Sequence, residues 1–211
     1  LSWADAHVAA IIDSFYPGAR GGKAVAEAIF GDFSPSGKLP VTFYQGTENL
    51  PEFTDYDMSD RTYRYTDKNV LYPFGYGLHY GTIRYENAQI SCAQCSVRDA
   101  VDVSVDVINE SSYTIHESVQ HEEADAYEPG YQLKGIQTVT LQPKETKRVT
   151  ISLKVRDFAI ITQEGECVVR PGSYRIAIGG QQPDARSAKL TGSDVAALVV
   201  RREGVQTPVE Y

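Results

Sequence analysis

The chain has 211 residues, enough for one large domain or two small ones, and its 42% hydrophobic and 23% charged content is typical of a soluble globular protein. Its formal net charge of -8 argues against nucleic acid as a partner, because phosphate binding relies on clustered lysine and arginine. No apolar run approaches the roughly 18 residues of a membrane-spanning helix, so the sequence predicts no membrane partner either.

Residues 1–45 alternate between strand and helix patterns. The nearly continuous apolar run at residues 8–16 predicts a buried strand, because such strands are typical of parallel sheets covered on both faces. After a glycine-rich break, the apolar spacing predicts a helix from Lys23 that stops at Gly31, and residues 39–44 form a second extended segment. One β-α-β unit cannot cover both faces of a parallel sheet, so we expect the remnant of a larger α/β domain here.

Residues 46–82 are polar, aromatic and irregular, and we interpret them as a linker. Within them, the run Arg61-Thr62-Tyr63-Arg64-Tyr65 alternates long cations with aromatic rings. Stacking rings and guanidinium groups suit sugar recognition, but they equally suit a domain interface held by cation-π contacts. We favour the interface and keep the wall of a substrate cleft as the alternative. The candidate site residues are Arg61, Tyr63, Arg64 and Tyr65.

The segment Tyr72-Pro73-Phe74-Gly75-Tyr76-Gly77-Leu78 marks the change from this irregular region to strand-rich sequence. Its two glycines permit backbone torsions closed to other residues, and its proline fixes one. Its aromatic rings supply apolar faces that can anchor a turn against both neighbours. We therefore interpret residues 72–78, called the seam below, as the boundary between two kinds of structure.

Residues 83–200 carry short alternating strand patterns separated by turns. Valine alternates with polar residues from position 101 to 107, and two later segments repeat this period of two. The alternation predicts eleven core positions: Val101, Val103, Val105, Val107, Val149, Ile151, Leu153, Val155, Tyr174, Ile176 and Ile178. The pattern predicts a mainly β fold, in which an immunoglobulin- or fibronectin III-like β-sandwich follows the partial α/β (βαβ) segment. Residues 201–211 lack a pattern and are predicted to form a surface tail.

One acidic stretch departs from the strand pattern. Residues 118–125 lie where a central strand is expected, yet Glu122, Glu123 and Asp125 make the stretch strongly acidic. His121 and Glu122 begin a zinc-protease pattern, but Asp125 stands where the second histidine is required. We predict an exposed edge strand or a loop for this stretch.

The three cysteines do not form a disulfide framework, because their number is odd and small. Cys92 and Cys95 have the spacing of half a zinc ribbon, but the second half is absent, and Cys167 is alone. We therefore expect structural or free thiols, no metal site and no cofactor. Unpaired thiols favour a cytoplasmic location over a secreted one.

Taken together, the motifs resemble those of glycoside hydrolase family 3, the β-glucosidase and β-xylosidase family, and keep the family order over nearly the whole chain. The early pieces are Tyr16-Pro17-Gly18, Gly21-Gly22, Phe30-Gly31-Asp32, the run from Pro35 to Phe43, the run from Arg61 to Tyr65, and the seam. The later pieces resemble the fibronectin type III-like domain of the family: Leu133-Lys134-Gly135, Gln142-Pro143-Lys144-Glu145 and Pro171-Gly172-Ser173-Tyr174.

The resemblance implies that residues 1–45 end an α/β sandwich domain and that residues 83–200 form a fibronectin type III-like domain. Complete members are retaining hydrolases of β-D-glucosyl or β-D-xylosyl residues. Their nucleophilic aspartate lies in a barrel domain, and their acid/base glutamate lies upstream of the motif matched at Tyr16. No carboxylate of this chain matches either role, so we expect a bracing region that is inactive alone. Its expected partners are the remaining glycosidase domains, with a β-linked oligosaccharide as a further candidate.

Two alternatives stay open at this stage. The chain could be a free-standing module that binds carbohydrate or another protein, or it could be one chain of a split enzyme. It begins at Leu1, without an initiator methionine or a signal-peptide pattern, which suggests a processed chain or a piece of a longer one.

Overall fold

Short helices and turns dominate the N-terminal part of the chain. The computed structural model describes residues 1–48, 50–66, 68–124, 130–162 and 164–210, without the side chains of residues 119–124. The first elements are α1 (Ser2–His7), α2 (Gly21–Phe30), β1 (Phe43–Tyr44), α3 (Thr62–Tyr65) and β2 (Val70–Tyr72). Strands β1 and β2 pair with each other in an antiparallel ribbon.

Helix α2 confirms the predicted helix and its stop. It begins at Gly21, two residues before the predicted start at Lys23. Gly31 ends it with a φ of 80°, in the left-handed region that favours glycine, and the N–H of Gly31 donates to the carbonyl oxygen of Ala28 at 3.1 Å. Ala28 is buried, while Ile29 and Phe30 remain exposed.

The predicted buried strand at residues 8–16 is wrong. All nine residues are exposed, and none lies in a strand. A parallel strand takes its hydrogen bonds from neighbouring strands, and β1 pairs instead with β2. The β-α-β unit is therefore not formed, although the helix at its centre is.

Most of the remaining residues form a β-sandwich. Its strands are β3 (Ile83–Ile90), β4 (Gln94–Ser96), β5 (Val101–Asn109), β6 (Ile115–Ala124), β7 (Gln132–Leu141), β8 (Thr146–Leu153), β9 (Ile160–Ile161), β10 (Cys167–Val169), β11 (Gly172–Gly179), β12 (Ala196–Glu203) and β13 (Thr207–Pro208). A 3₁₀ turn (Val155–Phe158) follows β8, and helix α4 (Ala185–Thr191) connects β11 to β12. One sheet has the strand order β3-β5-β8 and the other the order β4-β12-β11-β6-β7, while β13-β10-β9 form a small third sheet.

The core lies where the side chains of the two larger sheets meet. Ten of the eleven predicted core positions are buried, and Val155, in the 3₁₀ turn, is half-buried. The buried cluster joins Val101–Val107 of β5 to Tyr174, Ile176 and Ile178 of β11 in the opposite sheet. Each fully buried valine or isoleucine contributes roughly 1.5–3 kcal/mol of transfer free energy. The predicted mainly β fold with a sandwich is confirmed.

The acidic stretch is an inner strand, so the predicted edge strand or loop is wrong. Strand β6 pairs with β11 on one side as far as Ala124, and with β7 on the other as far as Glu123. An alternating pattern reports which face of a strand is covered, not whether the strand has one neighbour or two. Asp125 lies outside the described residues.

The predicted surface tail contains regular structure. Strand β12 continues to Glu203, and β13 pairs with β10 through Val169 and Thr207. The N–H of Val209 also donates to the carbonyl oxygen of Cys167 at 3.0 Å. Backbone pairing therefore holds this segment against the sandwich.

The seam is bound to the segment that follows α2. The N–H of Leu39 donates to the carbonyl oxygen of Tyr76, and the N–H of Gly75 donates to that of Leu39, each at 2.8 Å. Gly75 has a φ of 74°, which explains the glycine at this turn. A Cβ on Gly77 would collide with the carbonyl oxygen of Gly37, so the two backbones meet where no side chain fits.

Candidate functional site

The structure brings three of the four candidate site residues together and places the fourth elsewhere. Tyr63, Arg64 and Tyr65 line a cavity of about 350 Å³, together with Gly130 and Tyr131. Arg61 instead donates to three carbonyl oxygens of the loop that precedes it, at 2.7, 2.8 and 3.0 Å. Arg61 therefore fixes its own loop rather than lining the cavity.

Tyr63 connects α3 to three other parts of the chain. Its ring stacks on Phe74 of the seam, with 4.2 Å between the ring centroids. Its hydroxyl accepts a hydrogen bond from the backbone N–H of Leu133 at 3.1 Å, and its carbonyl oxygen accepts one from Nε2 of Gln182 at 3.4 Å. This tyrosine thus ties the irregular N-terminal region to β7 and to the loop after β11.

The same cavity has polar groups in its wall that are not satisfied. Nη2 of Arg64 donates to Oε1 of Gln132 at 2.7 Å. Nε of Arg64, Oγ1 of Thr42 and Oε1 of Gln182 are buried and have no hydrogen-bond partner within the described residues. Because buried polar groups are nearly always paired, each of these three atoms is expected to have a partner outside the described contacts.

A second cavity, of about 520 Å³, lies on the other side of Arg64 and Tyr65 and has Asp157 and Glu210 in its wall. Asp157 accepts a hydrogen bond from the backbone N–H of Lys154 at 2.7 Å and caps the 3₁₀ turn. We assign this carboxylate a structural role, because the cap engages it at the start of the turn.

Four side chains from separate segments meet in a buried charged group, which we call the junction cluster. Its members are Lys38, His79, Tyr85 and Glu117. Glu117, on β6, is 1% exposed and accepts a hydrogen bond from the hydroxyl of Tyr85, on β3, at 2.7 Å. Nζ of Lys38 lies 3.6 Å from Oε1 of Glu117, and Nε2 of His79 lies 3.7 Å from Oε2. The cluster joins the N-terminal region to both large sheets.

Burial controls the protonation of two members of the cluster. It raises the pKa of the Tyr85 hydroxyl well above its ordinary value, and the neighbouring Glu117 carboxylate acts in the same direction. Tyr85 therefore stays protonated and donates to Glu117. Burial lowers the pKa of His79, although Glu117 opposes this shift and Lys38 supports it. His79 is consequently neutral at neutral pH.

This depressed pKa predicts a loss of stability in mild acid. Below its ordinary pKa of about 6.5, His79 takes up a proton in the unfolded chain before it does so in the folded chain. Unfolding is therefore favoured progressively as the pH falls from about 6.5 towards the lower folded pKa. In urea unfolding at about pH 7.5 and pH 5.5, His79→Gln should lose less stability on acidification than the parent chain. An unchanged loss in His79→Gln would contradict this account, and His116→Gln, at an exposed site, is the control.

Sequence reasoning missed the junction cluster. The one local signal was Glu117, which occupies a core-facing position two residues after the buried Ile115 on the same strand face. A carboxylate in such a position requires partners. Its partners lie 79, 38 and 32 positions away in the chain, at Lys38, His79 and Tyr85, and no spacing rule connects them.

The N-terminal region presents many apolar side chains to solvent. Fifteen of the 22 exposed large apolar residues in the described chain lie in residues 1–58, among them Trp3 at 71%, Tyr16 at 100% and Phe53 at 95% exposure. Exposed large apolar side chains are thus concentrated in one part of the chain, and where such side chains form a contiguous patch they are typical of an interaction surface. We call residues 1–58 with these exposed side chains the apolar face.

Helix α1 of the apolar face is attached to the seam. The hydroxyl of Tyr72 donates to Oδ1 of Asp5 at 2.6 Å, and the ring of Tyr72 stacks on Tyr76 with 5.4 Å between centroids. Burial and the bond to Asp5 raise the pKa of Tyr72 to about 12. Arg186 of α4 donates twice to the carbonyl oxygen of Leu71, at 2.8 and 3.0 Å, and so holds β2 to the sandwich.

The described residues contain neither a candidate metal cluster nor a candidate membrane-spanning helix. No group of three or more histidine, cysteine, aspartate or glutamate side chains that could hold a metal ion occurs in the part of the chain that the structure describes. No helix in the described ranges has the length and apolar character needed to cross a membrane.

Two family models match separate regions of the chain. The model for the glycosyl hydrolase family 3 C-terminal domain matches residues 1–80, and the model for the fibronectin type III-like domain matches residues 119–182. Lys38 and His79 lie in the first matched region, and Glu117 lies two residues before the second. The junction cluster therefore joins the first matched region to Tyr85 and Glu117, which lie between the two matched regions.

Several curated and solved proteins with similar sequences are glycosidases. A xylan 1,4-β-xylosidase of Xylanibacter ruminicola is 36% identical over 186 residues, which are 86% of this chain and 21% of the relative. A periplasmic β-glucosidase of Salmonella typhimurium is 31% identical over 83% of this chain and 25% of its own length. The structure of a β-glucosidase from Erythrobacter marinus superimposes with a TM-score of 0.79 at 31% identity, covering 95% of this chain and 26% of that one. The chain thus spans about a quarter or less of each of these proteins.

Proposed function

We propose that this chain braces the other domains of a β-glycosidase. The chain belongs to glycoside hydrolase family 3 and forms part of the C-terminal region of that family. The observation that carries this proposal is the contrast within the chain between an uncovered N-terminal region and a closed sandwich. The apolar face is exposed, while the sandwich has a buried core of its own. A region that is anchored on one side and apolar on the other is suited to hold neighbouring domains.

The proposal also assigns a role to each part of the chain. Residues 1–45 would complete an α/β sandwich domain, residues 46–82 would link it to the fibronectin type III-like residues 83–200, and residues 201–211 would close the sandwich edge. The contacts of Tyr63 and of the junction cluster support a fixed arrangement across the linker. We propose that Tyr63, Arg64 and Tyr65 serve this internal interface and that Arg61 shapes the loop beside it.

The complete protein is proposed to hydrolyse terminal β-D-glucosyl or β-D-xylosyl residues. The names of the similar proteins support this substrate class, since they include β-xylosidases and β-glucosidases. Retaining hydrolysis needs two carboxyl groups about 5–5.5 Å apart on either side of the scissile bond. The walls of the two cavities contain three carboxylates: Asp184, Asp157 and Glu210. Asp184 caps α4 and Asp157 caps the 3₁₀ turn, so only Glu210 has no structural role assigned to it and the walls provide no catalytic pair.

This chain alone is therefore expected to be inactive. Incubation with aryl β-glucoside and aryl β-xyloside should give no turnover above the rate in buffer, whereas a complete β-xylosidase relative serves as the positive control. Turnover that persists after repurification and falls in Asp157→Asn would overturn the proposal, because it would place catalysis in the second cavity.

A carbohydrate-binding role is the second candidate function. The observation that favours it is the position of Arg64 and Tyr65 between two cavities with polar walls. Isothermal titration with xylan and cellulose fragments separates the two functions, since saturable binding favours the binding module and its absence favours the brace.

A further inference from the structure

We propose that Cys92 and Cys95 form an oxidisable pair that closes into an intramolecular disulfide and staples one edge of the sandwich. Both thiols are free and half-buried in this structure. The proposal does not depend on the function proposed above, because it concerns only the sandwich edge.

The two cysteines lie at a crossing between the large sheets. Strand β3 ends at Ile90 in one sheet, and β4 begins at Gln94 in the other. The residues between them therefore carry the chain around the edge of the sandwich. Strand β4 is the outermost strand of its sheet and pairs with β12 over three residues, from Gln94 to Ser96. Such short edge strands are the part of a sheet that opens most readily.

The geometry brings the thiols towards each other. Sγ of Cys92 donates a hydrogen bond to the carbonyl oxygen of Gln94 at 2.8 Å, which directs the side chain towards β4. That carbonyl belongs to the peptide bond between Gln94 and Cys95, so the contact places the Cys92 thiol beside the backbone of Cys95. Cys92 lies in the bend before β4 and Cys95 lies within β4, so we expect the bend to adjust until the thiols reach the separation of a disulfide.

A buried cation holds Cys95 in place. Nη1 of Arg202 lies 3.8 Å from Sγ of Cys95, Nη2 of Arg202 donates to the carbonyl oxygen of Val97 at 2.9 Å, and the guanidinium carbon lies 4.1 Å from the centroid of the Phe158 ring. Arg202 is 1% exposed. The position of the Cys95 thiol is therefore fixed relative to the core, which leaves Cys92 on the bend as the thiol that moves.

The burial of the Cys95 thiol sets the order in which the two cysteines react. Burial raises the pKa of the Cys95 thiol in spite of Arg202, so its thiolate is disfavoured. Cys92 is then the thiol that attacks a disulfide such as oxidised glutathione, forming a mixed disulfide and releasing one reduced glutathione. Cys95 attacks Cys92 in that adduct and releases the second. Two protein thiols lose two protons and two electrons, and one oxidised glutathione becomes two reduced molecules.

The test treats the folded full chain with oxidised glutathione and then counts free thiols under denaturing conditions, with peptide mapping by mass spectrometry. We expect the count to fall from three to one and the Cys92–Cys95 peptide to lose two hydrogens. Cys95→Ser should trap one glutathione on Cys92, and Cys92→Ser should react more slowly. Cys167→Ser is the matched control, because it leaves the pair intact and should still form the disulfide.

The staple should also stabilise the sandwich edge. Closing a loop this short is expected to raise the melting temperature by about 3–7 °C, and dithiothreitol should reverse the rise. Three thiols that remain free in oxidised glutathione would overturn the proposal, as would a bond that involves Cys167. A disulfide that forms only after unfolding in urea would overturn it too, since the native geometry would then have no part in it.

Discussion

Replacement of Glu117 by alanine should lower the free energy of unfolding by about 3–5 kcal/mol, because it leaves Lys38 and the Tyr85 hydroxyl without their shared buried acceptor. In a protein of this size, that loss corresponds to a fall in melting temperature of roughly 6–20 °C. Glu117 is 1% exposed, so water cannot replace the missing carboxylate without opening the contact between β3 and β6.

A double-mutant cycle separates the charge pair from the loss of packing. Glu117→Gln keeps an acceptor for Tyr85 but removes the charge that faces Lys38, and Lys38→Met removes the cation. If the pair is coupled, the double variant should be more stable than the sum of the two single changes predicts, by about 0.5–3 kcal/mol. Glu27→Ala is the matched control, because the Lys23–Glu27 pair is largely exposed and should contribute under about 0.5 kcal/mol. Equal losses at Glu117 and Glu27 in urea unfolding would contradict a structural role for the junction cluster.

The second large effect is expected at Gly77. Gly77→Ala should lower the free energy of unfolding by about 3 kcal/mol, because the new Cβ collides with the carbonyl oxygen of Gly37 and backbone cannot move aside as a side chain can. The displacement would also disturb Lys38, whose Nζ donates to the carbonyl oxygen of Gly77 at 2.9 Å. The substitution therefore reaches the junction cluster without touching any of its side chains.

Gly37→Ala provides the control for this clash. Space is open around the position of its Cβ, so the change should stay within about 0.5 kcal/mol of the parent chain. Urea unfolding followed by tryptophan and tyrosine fluorescence measures both variants under the same conditions. Similar stabilities for the two variants would show that the seam does not require the close approach of Gly77 to Gly37.

The sandwich could be predicted from the sequence because its signal is local. Alternation of valine with polar residues from Val101 to Val107 indicates a strand with one covered face. This pattern does not depend on which part of the chain forms the sheet that covers it. The structure buries all four of those valines completely. The same reasoning identified Tyr174, Ile176 and Ile178 on the opposite sheet without knowledge of which strands pair.

Residues 8–16 show the limit of the same method. Their apolar run is typical of a strand that other strands and helices cover on both faces. The residues that the structure describes do not supply these covering elements, and residues 8–16 are exposed. A sequence pattern reports the surroundings that a segment is suited to, whereas the structure reports the surroundings that this chain supplies. The proposed brace explains the difference, because the apolar face would be covered by other domains.

The candidate site was predicted in part. Alternating cations and rings drew attention to Tyr63, Arg64 and Tyr65, which do meet at a cavity, but the pattern could not show that Arg61 would bind the carbonyl groups of its own loop. The junction cluster could not be predicted, since its members come from four segments that only the folded chain brings together. Buried charge pairs of this type depend on tertiary contacts rather than on local order.

The central claim, that this chain braces the rest of a family 3 β-glycosidase, is tested most directly in the xylan 1,4-β-xylosidase of Xylanibacter ruminicola. One protein is truncated before the region that matches this chain, a second carries this chain in place of that region, and the intact relative is the reference. The account predicts that the truncated protein loses hydrolysis of aryl β-xyloside and that the chain restores it. Equal activity with and without the chain would contradict the claim.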